Sequence, residues 1–239
     1  MKIVSWNCRC GFNEKKALYI DKYAADIYVI QECTNEDVDK LKDFKKHSIW
    51  YGDNIDSKYG IGIFSNTYQI ELLPEPNLNF RYVIPFRVCD ENSSFVLFAV
   101  WTKDKDKNNK KMEYTKPTWE TINYPGYDEV FSWPVMLIGD FNSNNFWDEK
   151  YKREKVPSHN DIINKLKEYH IESAYHKFNN CEDGQEKDPT LLWRDMTFHI
   201  DYCFVSKHFV IENVEIGSME ELKETKLSDH RPLIADLRY

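Results

Sequence analysis

Short apolar segments recur along the chain and are separated by polar stretches. Most of these segments are rich in Val, Ile, Phe and Tyr, a composition typical of buried or half-buried strands. The pattern predicts strands over residues 2–7, 26–32, 59–65, 68–74, 80–88, 94–102, 134–143, 198–206 and 231–239, with an edge segment over 209–217.

Helical signals lie between these strands. Thr34 suits a helix N-cap, and Pro117 suits the first turn of a helix that follows a charged loop over 103–116. Helices are predicted to begin at residue 14, to extend over 34–46, to follow Pro117 and to extend over 159–178. Strands and helices alternate without an internal repeat, which is typical of a mixed α/β fold.

Composition and charge restrict the class of protein. The 239 residues are predicted to form one domain, 1–239, with 41% hydrophobic residues to fill its core. A net charge of −8 argues against a protein that coats nucleic acid through bulk charge, although a local basic rim is compatible with it. No apolar run approaches the roughly 20 residues of a membrane span, and no signal-peptide pattern is visible. We therefore expect a monomeric cytoplasmic protein.

The cysteines and most histidines give no sign of a metal site. Six cysteines lack the paired C-x-x-C spacing of a zinc site and are expected to be structural thiols: Cys8, Cys10, Cys33, Cys89, Cys181 and Cys203. Six histidines are expected to be surface or core residues rather than ligands: His47, His159, His170, His176, His199 and His208. His199 could share a strand face with Asp201, two residues later.

Polar residues interrupt or terminate several of the predicted strands. They are Asn7, Glu32, Asp140, Asn142, Asp201, Asp229 and His230. Burying an unpaired ionisable group is costly, and converging carboxylates repel one another. A divalent cation would resolve this conflict.

The donor types at these positions indicate which ion. Carboxylates and amides, with one histidine and no thiolate, suit Mg²⁺ or Mn²⁺ rather than Zn²⁺. Mg²⁺ binds through one or two carboxylates plus substrate phosphate, so the chemistry that fits is hydrolysis of a phosphoester. In an extended segment Asp140 and Asn142, two apart, would face the same reacting phosphate.

Five short motifs carry a resemblance to a known family. They are "SWN" (5–7), "QE" (31–32), "GDFN" (139–142), "IDY" (200–202) and "SDH" (228–230), in this order. This series resembles the endonuclease/exonuclease/phosphatase superfamily, which includes deoxyribonuclease I and exonuclease III. The resemblance implies a four-layer α-β-β-α sandwich, in which two mixed β-sheets pack face to face with helices outside and the site lies at one end.

The resemblance also implies roles for the strand-end residues. Glu32 is similar to the principal metal ligand of the family, with Asp229 a nearby or second-metal ligand, and Asn7 is similar to an amide that positions phosphate or ligands. Asp140 resembles the residue that orients and deprotonates the attacking water, with Asn142 as its partner. His230 resembles the histidine that stabilises charge on the phosphoryl oxygens, held in orientation by Asp201.

The sequence departs from the family pattern at two places. Many members have a histidine after the strand that 94–102 resembles, where this chain has Trp101-Thr102-Lys103. Tyr114, in a segment similar to one in abasic-site endonucleases, is our candidate substitute for the proton donor. Arg9 stands where abasic-site enzymes tend to have an acid, which weakens that assignment.

Other residues are candidates for substrate contact. They are Lys103, His199, Trp147 and Asn144. Phe146 and Trp147 could stack on a nucleobase or pack locally. The lysines of the charged loop could attract phosphate or be solvated, since they alternate with acids: Lys103, Lys105, Lys107, Lys110 and Lys111.

Purely structural roles are open for the strand-end residues as well. A role in capping a turn or helix is open for Asp140 with Asn142, for Glu32 and for Asp229 with His230. Asn7 could instead bridge two loops. Asp201 could instead pair with a lysine.

The leading hypothesis is a Mg²⁺- or Mn²⁺-dependent phosphodiesterase that acts on DNA or RNA. A second hypothesis keeps the same site and gives it a small phosphorylated molecule or a lipid headgroup, which the acidic balance of the chain favours. A third is a binding module of the same fold without turnover, suggested by the missing histidine.

Overall fold

The computed structural model describes residues 1–52, 58–74, 82–103, 113–151 and 157–239. Its strands are β1 (Lys2–Asn7), β2 (Ile27–Thr34), β3 (His47–Tyr51), β4 (Tyr59–Ser65), β5 (Gln69–Leu72), β6 (Val83–Cys89), β7 (Ser94–Trp101), β8 (Val135–Asp140), β9 (Ile171–Ser173), β10 (Leu191–Trp193), β11 (Met196–Phe198), β12 (Asp201–Ser206), β13 (Val210–Ile216) and β14 (Leu233–Arg238). Its α-helices are α1 (Glu14–Asp21), α2 (Asn35–Lys40), α3 (Lys116–Ile122), α4 (Asn145–Tyr151), α5 (His159–Glu168), α6 (Ala174–Asn179) and α7 (Met219–Thr225).

The strands form two mixed sheets of six strands each. The first has the order β13-β14-β1-β2-β4-β3, with β1 and β2 parallel. The second has the order β5-β6-β7-β8-β12-β9, with β7 and β8 parallel. A separate hairpin pairs β10 with β11. The two large sheets confirm the mixed-sheet fold predicted from the sequence.

Alternating apolar side chains produce the layers. Ile27 and Val29 of β2 belong to a core that also contains Leu97 and Met136 from the other sheet, so the sheets pack face to face. The intervening Tyr28 faces a second cluster formed with α1 and α2. A third cluster packs α3 and α5 on the outer face of the second sheet. Strand alternation thus yields helices outside and two sheets inside, the predicted four-layer sandwich.

Two predicted helices are shorter than the sequence pattern indicates. The helix predicted over 34–46 ends at Lys40. The helix predicted over 159–178 is wrong as a single element, because His170 has a left-handed φ of 58° and Ile171 then pairs with Ser206 of β12. No helix in the part of the chain described here is long and apolar enough to cross a membrane.

The fold brings several strand ends to one edge of the sandwich. The parallel strands β1 and β2 lie side by side, with Asn7 at the end of β1 paired with Gln31, and β8 of the other sheet contacts β1. Gly139, just before the last residue of β8, has φ +145°, and a Cβ there would lie 1.9 Å from the carbonyl oxygen of Val100. Only glycine allows β8 to approach β7 this closely, and this approach positions the next residue, Asp140.

Candidate active site

One amide joins the ends of three strands. Asn7, the last residue of β1, is buried, and its Nδ2 donates to Glu32 Oε1 and to Asp140 Oδ2, each at 3.0 Å. Its Oδ1 accepts from the backbone N–H of Arg9 at 3.0 Å. Asn7 therefore binds two carboxylates from different sheets, and it also binds the backbone of the loop that follows β1.

A local irregularity of β2 directs Glu32 into the site. The register between β2 and β4 shifts between Gln31 and Cys33, and Glu32 has a left-handed φ of 61°. Its Oε2 accepts from the backbone N–H of Cys10 at 3.0 Å. The helix after β2 is capped by Thr34 and Asp37, so the capping role left open for Glu32 is taken by other residues.

Asp140 is buried and surrounded by donors. Its Oδ1 accepts from the backbone N–H of Asn142 at 2.9 Å, and its Oδ2 accepts from Asn142 Nδ2 at 3.0 Å. Burial raises the pKa of Asp140 to about 7, although the charge of His230 and the hydrogen bonds oppose this effect. A carboxyl group in this state can take up or release a proton near neutral pH.

Asn142 lies beside Asp140, but its backbone conformation differs from the extended one predicted from the sequence. The strand ends at Asp140, and Asn142 has a left-handed φ of 47°, so the argument from alternation along an extended segment is wrong. Asn142 Nδ2 also donates to the carbonyl oxygen of Thr102 at 3.0 Å, which ties the end of β8 to the segment after β7. Asn142 thus orients Asp140.

His230 and Asp201 form a buried pair beside Asp140. His230 Nδ1 lies 2.9 Å from Asp201 Oδ2, and its Nε2 lies 4.0 Å from Asp140 Oδ2. Asp201 is the backbone partner of Asp140 where β12 pairs with β8, and His230 rather than a lysine is its ionic partner. Burial alone would lower the pKa of His230, but the Asp201 and Asp140 carboxylates outweigh it and raise the pKa to about 10.

Two hydroxyl groups that the sequence prediction did not include hold this pair in place. Thr190 Oγ1 accepts from the backbone N–H groups of Ile200 and Asp201, at 3.0 and 3.1 Å. Ser228 Oγ donates to the carbonyl oxygen of Asn7 at 2.7 Å and accepts from the backbone N–H of His230 at 3.0 Å. The "SDH" motif contains Ser228, whereas nothing in the sequence marks Thr190.

Asp229 lies at the rim with a cationic neighbour. Its side chain is half-buried, and Arg9 Nε lies 3.5 Å from its Oδ2. Arg9 and Cys10 both have left-handed backbone conformations, with φ of 53° and 57°, in the loop whose Cys10 N–H binds Glu32. The same loop therefore contacts both predicted metal-binding carboxylates, Glu32 and Asp229.

The donor set fits a divalent cation. Carboxylate oxygens of Asp140 and Asp201 and a ring nitrogen of His230 all lie within 4.8 Å of one another, and His230, protonated beside the two carboxylates, contributes positive charge here rather than a lone pair. Among the described residues, Asp201 Oδ1 is buried without a hydrogen-bond partner. The half-buried Glu32 adds a further carboxylate through their shared neighbour Asn7. A carboxylate-rich set of this kind is typical of hard cations.

The family profile described as the endonuclease/exonuclease/phosphatase family matches residues 4–230. The chain belongs to this family. Proteins of the endonuclease/exonuclease/phosphatase family are hydrolytic phosphoesterases that use divalent metals. The buried acidic cluster of this chain is therefore in a fold that supports phosphoester hydrolysis.

Solved structures of low sequence identity share the fold. An AP endonuclease from Archaeoglobus fulgidus has a TM-score of 0.71 at 16% identity, with all of both chains covered. A variant of the 3′ phosphatase NExo from Neisseria, bound to a product DNA hairpin, has a TM-score of 0.70 at 19% identity, again with all of both chains covered. The human Nocturnin catalytic domain with a bound sulfate anion has a TM-score of 0.67 at 16% identity, covering 100% of this chain and 94% of that chain. No curated protein matches in sequence.

The remaining predicted residues occupy different surroundings in this family fold. Lys103 Nζ lies 3.4 Å from the centroid of the Trp101 ring, just after the segment that binds Asn142, and Tyr114 lies in the turn before α3. Asn144 Oδ1 accepts from the backbone N–H of Trp147 at 2.9 Å at the start of α4. The four other lysines predicted as phosphate contacts lie outside the described residues: Lys105, Lys107, Lys110 and Lys111.

Two further candidates pack locally. Trp147 contacts Phe198, with 5.0 Å between ring centroids. His199 is buried, and its Nδ1 lies 2.9 Å from the carbonyl oxygen of Asp188. His199 precedes β12, and its ring lies 6.0 Å from that of His176, so it belongs to another cluster of side chains.

Thr190→Val tests the support of Asp201. This nearly isosteric change strands two buried N–H groups, so we expect a loss of about 1–3 kcal/mol of unfolding free energy per stranded donor. The matched control is Thr121→Val, because the equally buried Thr121 hydroxyl only donates to Pro117 within α3. Urea unfolding measures both variants. An equal loss of stability in the two would contradict the assigned role of Thr190.

Proposed function

We propose that the protein is a Mg²⁺-dependent phosphodiesterase that hydrolyses DNA or RNA, with Mn²⁺ able to replace Mg²⁺. The observation that carries this proposal is the single Asn7 amide that donates to both Glu32 and Asp140. It places a carboxylate suited to a metal next to a carboxyl group suited to proton transfer. Hydrolysis of a phosphoester needs both groups at one phosphate.

Asp140 is proposed to take the proton from the attacking water. Its pKa of about 7 suits a general base near neutral pH. Asn142 and Asn7 hold the carboxylate in a fixed orientation through their amide N–H groups. The water then needs little reorganisation to attack the phosphorus atom.

His230 is proposed to stabilise the negative charge that grows on the phosphoryl oxygens. Its pKa of about 10 keeps the imidazole protonated at neutral pH, and Asp201 at Nδ1 leaves Nε2 directed towards Asp140. A fixed cation in a buried site stabilises a developing anion more strongly than a solvated one does. The same contact orients the ring throughout the reaction.

Glu32 and Asp229 are proposed to hold the metal ion, with Asn7 as a positioning or ligating amide. When bound, a divalent ion polarises a phosphoryl oxygen and neutralises charge on the departing oxygen. The proton donor to the leaving group is proposed to be Tyr114, since Trp101-Thr102-Lys103 contains no histidine.

An aromatic surface close to the loop after β8 supports a nucleic-acid substrate. Phe146 is 54% exposed and, with Asn144, Phe198 and His199, lines a groove of about 330 Å³. Exposed aromatic rings stack on nucleobases without sequence preference. The NExo structure contains a product DNA hairpin in the same fold. The net charge of −8 favours the second candidate, a small phosphorylated molecule or lipid headgroup.

Substitution of the two central residues tests catalysis. Asp140→Asn and His230→Ala should each lower kcat/KM for an oligonucleotide by roughly 10²–10³-fold or more, because each removes charge stabilisation or proton transfer. Asp128→Asn, at an exposed position, is the control and should retain full activity. Rates with Mg²⁺ are measured on single- and double-stranded oligonucleotides, and free phosphate release is measured on small phosphomonoesters.

Phosphate release from the small phosphomonoesters without cleavage of any oligonucleotide would select the second candidate. Unchanged rates in Asp140→Asn or His230→Ala would refute the role assigned to that residue. A folded protein that cleaves none of these substrates with Mg²⁺ or Mn²⁺ would refute the proposed function.

Phe146→Ala tests the substrate class separately. Stacking contributes about 1–3 kcal/mol per base, so we expect KM for a single-stranded oligonucleotide to rise about tenfold, with no change for bis(p-nitrophenyl) phosphate. Phe178→Ala, in α6, is the matched control because Phe178 is also exposed. An equal effect of both variants on KM would argue against base stacking at Phe146.

A further inference from the structure

A second cluster of metal-binding side chains lies beside the outer face of the second sheet. It contains His159 at the start of α5, His176 in α6, His199 before β12, and Asp183 and Glu186 in the segment that follows α6. None of these residues has a role in the proposed chemical step, although His199 and Glu186 also line the groove proposed for the nucleic acid. The cluster thus has three imidazoles and two carboxylates with no function yet assigned.

The ligand atoms of this cluster are close together. His176 Nε2 lies 2.8 Å from Glu186 Oε1 and 3.8 Å from Asp183 Oδ1. His159 Nε2 lies 3.6 Å from Asp183 Oδ2. Ligands of a tetrahedral Zn²⁺ with bonds of about 2.0–2.1 Å lie roughly 3.3 Å apart. His176, Asp183 and Glu186 offer ligand atoms that all lie within 4.8 Å of one another, and His159 Nε2 reaches this group through its contact with Asp183.

Each histidine is anchored through Nδ1. His159 Nδ1 lies 2.9 Å from Ser143 Oγ, and His176 Nδ1 lies 2.7 Å from Ser173 Oγ. His199 Nδ1 lies 2.9 Å from the Asp188 carbonyl oxygen, which only accepts, so His199 Nε2 carries the lone pair of the neutral ring. Metal-binding histidines have this arrangement, in which one nitrogen is held by an oxygen and the other faces the ion.

Buried atoms of the cluster have no hydrogen-bond partner among the described residues. They are His159 Nε2, His199 Nε2 and both carboxylate oxygens of Asp183. The His159 side chain is completely buried and that of His199 is 4% exposed. Unsatisfied buried polar groups are costly, and several in one place point to an absent ligand.

The charges agree with this geometry. Asp183 Oδ1 and Glu186 Oε1 both face the same nitrogen, His176 Nε2, at 3.8 and 2.8 Å. Two carboxyl groups that share so small a space need either a proton or a cation between them.

We propose that His159, His176, Asp183 and Glu186 bind a structural Zn²⁺ ion, with His199 beside them as a further nitrogen donor. Imidazole and carboxylate together suit Zn²⁺ better than Mg²⁺, which prefers oxygen ligands and water. Four protein ligands leave no open position, which is characteristic of a structural rather than a catalytic zinc site.

The proposed ion would fix the segment between α6 and β10 against the second sheet. That segment contains Asp183 and Glu186 and ends at Thr190, whose hydroxyl holds the backbone of Asp201. The zinc site would thus stabilise the loop that supports the His230–Asp201 pair. It is separate from the Mg²⁺ site and does not depend on the proposed hydrolysis.

Metal content and stability test this proposal without any activity measurement. The full chain is stripped with a chelator and titrated with Zn²⁺ in excess Mg²⁺, and bound zinc is counted by mass spectrometry. We expect one equivalent of tightly bound zinc and a Tm increase of roughly 5–10 °C at a Zn²⁺ concentration one hundred times Kd. His176→Gln and Asp183→Asn should weaken zinc binding by roughly 100-fold or more.

Two control variants locate the ion. Asp140→Asn changes the other cluster and should retain the zinc equivalent, and His47→Gln changes a half-buried histidine of β3 and should also retain it. Circular dichroism establishes that His176→Gln and Asp183→Asn are folded. Failure of the unsubstituted chain to take up zinc overturns the proposal whether or not these variants fold. Retention of zinc by folded His176→Gln together with its loss from Asp140→Asn also overturns it.

Discussion

The pair of hydrogen bonds from Asn7 to Glu32 and Asp140 is the interaction on which the rest of the site depends. The two carboxylates come from different sheets and share one donor, the Asn7 amide. That amide satisfies one oxygen of each carboxylate but removes no charge, so added positive charge would stabilise their proximity. His230 supplies part of it on the Asp140 side. In the proposed function, a divalent ion at Glu32 would supply the remainder.

The scaffold maintains this arrangement through backbone features that an isolated peptide would not adopt. Gly139 allows β8 to approach β7, and the irregularity at Glu32 turns its side chain out of the strand alternation. Asn142, two residues after Asp140, has a left-handed backbone. Conformations of this kind cost free energy and persist where the surrounding structure enforces them. The favourable packing of the core between the two sheets therefore offsets the free-energy cost of these conformations.

The ends of β1 and β8 could be predicted from the sequence because apolar runs stop at Asn7 and Asp140, whereas β2 continues past Glu32 to Thr34. The fold followed from the order of the motifs. Local geometry could not be predicted, since Asn142 left the extended conformation on which its predicted direction depended. Thr190 acts through a single hydroxyl brought close by tertiary structure, which no local pattern encodes. The histidine cluster could not be predicted from the sequence either, because its residues are spread over 159–199 without a short repeated spacing. The active-site residues and the histidine cluster each come together only because the fold brings distant parts of the sequence into contact, which composition does not reveal.

Calorimetric titration with Mn²⁺ and Mg²⁺ tests the central claim most directly. The chain is compared with Glu32→Gln, which keeps the shape of the side chain and removes its charge, after saturation with Zn²⁺ to occupy the histidine cluster. The account predicts that the unsubstituted protein binds a divalent ion and that Glu32→Gln, while still folded, binds it at least tenfold more weakly. Equal affinity in the two proteins, or no uptake of either ion by the unsubstituted protein, would contradict it.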